Sequence, residues 1–510
     1  MLTMLMHQLL LDGAERHPDT TALTWVDRDR SLTYAQSVDM MMRMAGGLAS
    51  LGVRPGDRVA IVAHNGLDYL LAMLGAWRLG AISAHVNVKF ANELVYYFGD
   101  HQPTVVVYTH DMLDPVRRAA AEVASIRHLV CMDGPQEGAH SLPDLLAAAL
   151  PVPADPGDEG AIAHLSYTSG TTGKPKGACL AHEPTVRASR CIAERLRLTR
   201  ADVSFGPTAL SSSYQLVGNL LPPLSRGAGT AVMGRWSPGA AWEAIERLNA
   251  SAFVANPTFL EELLVESRAR GRTPGRLRYG LSGGGPVPPA LKSAWRDELG
   301  LPLVESFGQS ELGGFMALGF PDLASADAPI VRVGPPLPDK EVRIVDAEGR
   351  PVPTGRIGEI ILTGGFMKGY WGKPEKTEDA TRGGWLRTGD LGFVDADGYV
   401  TMRGRRSELI EVDGVLWFPR DVEEALCQIA GVRQAALVGA PHPLLGRRPV
   451  AFVVLGDGTE LAEAAMKAAI APRLSYDIEA LSIRVVPELP MTPTGKIAKA
   501  ELAASLSEAA

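Results

Sequence analysis

The sequence predicts an α/β fold in which parallel strands form sheets covered by helices on both faces, with smaller β-rich and α+β parts behind it. Three observations predict it. The 510 residues exceed one hydrophobic core and imply two to four domains or subdomains. Short apolar runs alternate with segments of helical period over the first 300 residues, the pattern of a parallel sheet buried on both sides. The texture then changes twice, to short strands and turns near Val331 and again after Gly404.

In chain order, the apolar start from Met1 to Leu11 has no basic leader and no small-residue cleavage site. It runs into Asp12, Glu15, Arg16 and the His17-Pro18-Asp19 turn, which predicts a surface helix and not a signal peptide. Val59 to Ala63, Ala81 to Val86, Thr104 to Tyr108 and Arg127 to Cys131 read as strands, with Leu67 to Leu79 a helix ended by Gly80. Pro151 to Gly160, rich in Pro, Asp and Gly, reads as a linker between two such layers. Gly177 to Ala181 reads as a returning strand and Pro184 to Leu196 as a helix opened by proline. Ser251 to Ala255, Thr258 to Ala269 and Arg278 to Ser282 resume the alternation. Glu341 to Val345, Glu359 to Thr363 and Tyr399 to Met402 make a smaller β-rich subdomain. Arg405-Arg406-Ser407-Glu408 is a charged connector, which places a boundary at about residues 404 to 407 and divides the chain into 1–404 and 405–510. Beyond it come a helix (Pro419 to Gln428), strands (Gln434 to Val438, Val450 to Leu455), another helix and a tail.

Charge excludes some functions. A net charge of -8 leaves no basic footprint for nucleic acid or an anionic membrane. No run approaches 18 apolar residues, so no membrane span is expected. Cys131, Cys179, Cys191 and Cys427 lack metal-ligand or paired spacing and read as reduced thiols of a cytoplasmic protein.

The chemistry concentrates in a few runs. Thr168-Ser169-Gly170-Thr171-Thr172-Gly173-Lys174-Pro175-Lys176 follows an apolar strand. Its glycines permit close backbone approach, its amides form an anion-binding concavity, and its hydroxyls and ammonium groups add donors and charge. A loop that cradles a polyphosphate results. It is not a Walker loop, because only two residues separate Gly170 from Gly173. Ser306-Phe307-Gly308-Gln309-Ser310-Glu311 offers an aromatic face to stack a purine, a hydroxyl for a phosphate oxygen and a hard carboxylate for Mg2+. Taken singly, each run has a plainer reading as a turn, a core phenylalanine or a solvated charge.

Taken together they resemble the adenylate-forming (AMP-binding) superfamily, most closely its acyl-CoA synthetases for fatty and aryl acids. Thr168 to Lys176 resembles the family's phosphate loop, and Ser306 to Glu311 its aromatic-Gly-x-Thr-Glu motif, with Ser and Phe in place of Thr and Tyr. The resemblance implies that Gly283, Gly284 and Gly285 form the turn against which adenine lies. It also implies that Asp390, in Thr388-Gly389-Asp390, holds the ribose with Arg405. Lys496, in Pro493-Thr494-Gly495-Lys496, stands at the position of the catalytic lysine, a donor whose loss typically costs roughly 100- to 1000-fold in rate. Tyr214, Gly218, Asn256 and Gly313 fall on segments that wall the acyl pocket, Ser407 on the hinge and Gly414 on the pantetheine path. The implied fold is a large N-terminal domain of two sheet-helix subdomains plus a β-barrel-like one, with a small mobile α+β lid. The implied reaction joins a monocarboxylic acid to CoA through an acyl-adenylate, using ATP and Mg2+, and the family's habit adds a homodimer.

Three departures stand out. No histidine occupies Pro207 to Tyr214, where many acyl-CoA synthetases carry a Phe-His pair. Ser407 replaces the usual hinge Asp or Lys, and Glu411 to Leu416 lacks the family's Lys and Asn/Gln around Gly414. Apart from Glu311 the pocket segments hold no charge, so a fatty, alicyclic or aromatic acid fits better than a dicarboxylate or an amino acid. Arg447 and Arg448 read as a solvated face in preference to a CoA-phosphate contact. Two other functions remain open at this stage: acyl transfer to a carrier protein, and nucleotide binding without turnover.

Overall fold

The computed structural model describes residues 4–168, 174–285, 287–323, 332–412, 414–442, 446–456, 458–474, 476–491 and 497–507. Two large sheets carry the N-terminal region. The first has seven strands in the order His140–Ser141, His128–Cys131, Val105–Tyr108, Arg58–Val62, Ile82–His85, Ile162–Thr168 and Lys176–Ala181. All are parallel except the last, which returns antiparallel with Thr168 opposite Lys176. The valines and isoleucines of its central strands are buried, as a sheet covered on both faces requires.

The second sheet has eight strands in the order Gly314–Leu318, Leu303–Gln309, Tyr279–Ser282, Ala252–Ala255, Val203–Gly206, Gly229–Val232, Thr21–Trp25 and Arg30–Thr33. It is parallel apart from its two edge strands. The β-rich part is an antiparallel sheet on the path Arg332–Gly334, Val400–Arg405, Trp385–Val394, Gly358–Gly364 and Lys340–Val345, and among the described residues no ladder joins its two ends. Beyond it lie a hairpin (Ile410–Val412 with Val415–Trp417), the helix Pro419–Cys427 and a three-stranded sheet.

The N-terminal helix is amphipathic, the form a surface helix takes when its apolar face meets the core. It spans Gln8–Arg16; Met6, Leu9 and Leu10 are buried in the largest hydrophobic cluster, and Leu5 is buried as well. The polar residues that suggested exposure occupy only its outer face. The helix expected to open at Pro184 starts at His182, so the proline falls in the first turn, where no intrahelical N–H is needed. The four cysteines are free. Among the described residues no helix is long and apolar enough to cross a membrane.

Candidate active site

The site forms where both large sheets meet the antiparallel one. Ser169 to Gly173 lie outside the described residues, but both ends of the loop are placed. Tyr96 donates from its hydroxyl to Pro175 O at 2.5 Å, and Lys174 lies over the Tyr96 ring at 5.1 Å. The Thr168 hydroxyl is buried without a hydrogen-bond partner among the described residues, a donor free for an anion.

Chain pairing then brings in a residue from far along the sequence. Lys368 to Trp371 runs against the strand Lys176–Ala181, through Lys368 N–H to Cys179 O, Cys179 N–H to Gly369 O and Trp371 N–H to Gly177 O, each 2.8–2.9 Å. Tyr370 therefore faces Lys176, whose ammonium lies 4.3 Å from its ring centre. The Tyr370 hydroxyl donates to Glu311 Oε1 at 2.7 Å. Burial, and then the adjacent carboxylate, push the Tyr370 phenol above its ordinary range, so it remains a donor at neutral pH. Glu311 sits in the turn Ser310–Leu312 and keeps Oε2 out of that bond. A carboxylate oxygen of this kind fits Mg2+, which takes one or two carboxylates and completes its octahedron with phosphate and water oxygens.

Two residues earlier, Gln309 Nε2 donates to Asp390 Oδ2 and, at 2.9 Å, to Thr388 O. Asp390 is only 4% exposed, pairs in register with Arg405, and has Arg405 Nε 3.3 Å from Oδ1. The run Gln309-Ser310-Glu311 thus ties the expected ribose carboxylate to the expected metal carboxylate. Reading the sequence assigned no role to Gln309 or Tyr370. The Gly369-Tyr370-Trp371 spacing to Asp390 was the available signal for the tyrosine.

The expected pocket walls are partly assembled. Tyr214 is buried, donates to Leu281 O at 2.7 Å, and has its ring centre 5.8 Å from that of Phe315. A Cβ on Gly218 would meet Val254 at 3.1 Å and Phe315 at 3.5 Å, so this glycine makes room beside the same ring. Gly283 lies against the Tyr214 face, where a Cβ would stand 2.3 Å from Cε2 and 2.6 Å from Ser306 Oγ. Ser306 itself donates to Ser282 O at 2.9 Å, Phe307 pairs with Ala317, and Gly308 packs under Phe315. Gly284 has φ +83°, a turn that favours glycine, and Gly285 faces open space.

Asn256 and Gly313 have structural tasks of their own. The Asn256 side chain accepts from Phe259 N–H at 3.1 Å and caps the helix Pro257–Arg270, because a helix start needs that acceptor. Gly313 adopts φ +56° and packs toward Thr185 and Leu180, making the turn into Gly314–Leu318. Ser407 is exposed within the turn Arg406–Glu408, and Gly414, at φ +79°, closes the Ile410–Trp417 hairpin. Arg447 and Arg448 are exposed. Lys496 and Asp413 lie outside the described residues.

Gly283 carries a direct prediction. Gly283→Ala is expected to displace Tyr214 and lower stability by about 1–3 kcal/mol, the usual range for overpacking. A thermal midpoint equal to wild type would contradict the packing described.

The chain belongs to the AMP-binding enzyme family, whose model matches residues 10–371, with the AMP-binding enzyme C-terminal domain matching 421–496. Among curated relatives, a feruloyl-CoA synthase of Amycolatopsis sp is 32% identical over 475 residues, covering 92% of this chain and 93% of the relative. A fatty acid–[acyl-carrier-protein] ligase, ScoC, of Streptomyces coeruleorubidus is 30% identical over 498 residues, covering 96% and 94%. Among solved structures, the anthranilate CoA ligase AuaEII in complex with anthranoyl-AMP superposes with a TM-score of 0.92 at 26% identity, covering 100% of this chain and 99% of that one.

Proposed function

We propose that this protein is an ATP- and Mg2+-dependent acid–thiol ligase that converts an aromatic monocarboxylic acid to its CoA thioester through an acyl-adenylate. The observation that carries the reading is the Gln309-to-Glu311 run, which holds Asp390 on one side and Tyr370 with Lys176 on the other. A ribose and a triphosphate bound there would reach from one end of the run to the other. Phe307 is assigned to the adenine face with Gly283 to Gly285, Asp390 and Arg405 to the ribose, and Thr168 to Lys176 with Ser310 to the phosphates. Glu311 is the metal ligand.

In the first half-reaction the substrate carboxylate oxygen attacks the α-phosphorus, the bond to the β-phosphate breaks, and pyrophosphate leaves. Lys496 is assigned to the charge that develops on the α-phosphate and the attacking carboxylate. In the second, the CoA thiol adds to the acyl carbonyl, loses its proton, and AMP leaves. We divide the chain into an adenylating domain (1–404) and a lid (405–510) with Ser407 at the hinge. Tyr214, Phe315, Gly218 and Gly283 pack together as an uncharged, aromatic cluster, a lining that suits a flat ring; the feruloyl and anthranoyl ligases lend support.

A second reading, acyl transfer to a carrier protein, is favoured by one feature. Val415 and Leu416, beside Gly414, are 42% and 47% exposed, an apolar tip suited to a protein surface. Pyrophosphate and AMP release from ATP and a panel of carboxylic acids, with and without CoA, tests both. CoA-dependent AMP and thioester formation with an aryl acid is the expected result. Pyrophosphate exchange without CoA-dependent turnover favours the carrier, and no acid-dependent release across the panel refutes both.

A further inference from the structure

Glu305 stands directly before the Ser306-to-Glu311 run and is 5% exposed, a buried carboxylate that needs opposite charge. Two cations meet it from different parts of the chain. Lys292, on the helix Pro289–Leu299, has its Nζ 2.5 Å from Oε2, off the hydrogen-bonding direction, so the contact is one of charge. Arg420, from the helix Pro419–Cys427 beyond the hinge, has Nη2 3.7 Å from Oε1. The Arg420 side chain is itself largely buried and is held from behind by Glu424. The next residue, Asp421, takes Arg403 of the antiparallel sheet at 2.7 Å, so consecutive positions of this helix grip two elements of the large domain.

Resting on the acyl-adenylate reading above, we infer that Arg420 is a positioning residue whose ion pair with Glu305 couples the orientation of the lid to the strand that carries the nucleotide-binding run. With the lid docked as here, Glu305 is balanced by two cations. A lid that rotates away removes one of them, leaving Glu305 with Lys292 and placing Arg420 in water with Glu424. The strand Leu303–Gln309 therefore differs in electrostatic balance between lid orientations. By linkage, a nucleotide that acts on Ser306 to Glu311 biases the lid. Arg420 touches no reacting atom in this scheme; it acts through Glu305.

The test compares Arg420→Met, Arg420→Lys and Glu305→Gln with wild type in two measurements on the full chain. One is the ratio of acid-dependent pyrophosphate exchange to single-turnover transfer of the pre-formed adenylate to CoA. Arg420→Met is expected to shift this ratio by about tenfold, in keeping with removal of one partner of a part-buried pair, and Arg420→Lys to return it toward wild type. Glu305→Gln should shift it in the same direction, and serves if Arg420→Met does not fold. A ratio unchanged in the folded variants, or two half-reactions lowered in equal proportion, overturns the inference. If wild type itself forms no adenylate, the proposed function has failed and the second measurement decides. That measurement is trypsin cleavage at Arg406–Ser407, expected to be several-fold faster in Arg420→Met than in Arg420→Lys, with equal rates overturning the coupling.

Discussion

Glu311→Gln is expected to reduce acid-dependent pyrophosphate exchange by roughly 100- to 1000-fold while leaving the fold intact. The substitution is isosteric, and the glutamine carbonyl still accepts from the Tyr370 hydroxyl, so the contact that anchors the turn Ser310–Leu312 survives. The lost quantity is one negative charge, carried by the carboxylate that Tyr370 contacts through Oε1. Affinity for ATP measured without divalent cation should stay near the wild-type value, because under the proposed function Glu311 serves the metal and makes no nucleotide contact. Exchange within a few-fold of wild type at saturating Mg2+ would show that Glu311 has another task. Tyr370→Phe separates the two parts of the site: it keeps the carboxylate and frees it to turn, and a smaller loss is expected.

Acidification between pH 6.5 and 4 is expected to lower the stability of the large domain steeply. Burial holds the imidazoles of His85 and His101 at about 3 and that of His182 at about 4, and drives His164 well below its ordinary value. Neighbouring groups modify this. His85 gains a little from the Leu210 carbonyl, and His182 is lowered further by His7 and partly restored by Asp155 and Asp158. These four side chains are buried in the folded chain. The unfolded chain takes up protons on them near pH 6.5, and the folded chain does not. Stability is therefore complete above that pH and is lost as pH falls toward the folded values, by about 1.4 kcal/mol per pH unit for each histidine. Asp421 works in the opposite sense. Burial raises its carboxyl to about 6, so the folded form gains a proton first and this one contribution improves on acidification. The histidines outnumber it. Thermal unfolding followed from pH 7 to 5 should show a falling midpoint with net proton uptake, and a flat midpoint would refute the assignment.

The candidate site could be proposed from the sequence because its chemistry is contiguous. Gly283 to Gly285, Ser306 to Glu311 and Thr388 to Asp390 each carry their donors and acceptors within a few residues, and turn or strand chemistry of that length depends on local composition. Hydrophobic periodicity was equally readable for the strands Arg58–Val62 and Val105–Tyr108, whose apolar side chains are buried. The N-terminal helix was legible only in part. Polar residues on its outer face are visible in the sequence, but the surface that buries Leu9 and Leu10 is supplied by other elements. The cap that Asn256 makes was not read in the sequence, because one amide suits both a pocket wall and a helix cap, and the backbone of Pro257–Arg270 reveals the second task.

By itself the sequence determined the α/β class, the order of elements and the types of group brought to the chemistry, since these follow from local periodicity, turn residues and side-chain charge. Tertiary structure decided which groups meet. Tyr370 reaches Glu311 across 59 positions and Gln309 reaches Asp390 across 81, each through the packing of separate elements that composition does not specify. Glu305 acquires Arg420 from beyond the hinge because a buried carboxylate must find its counter-charges in space, wherever along the chain they lie.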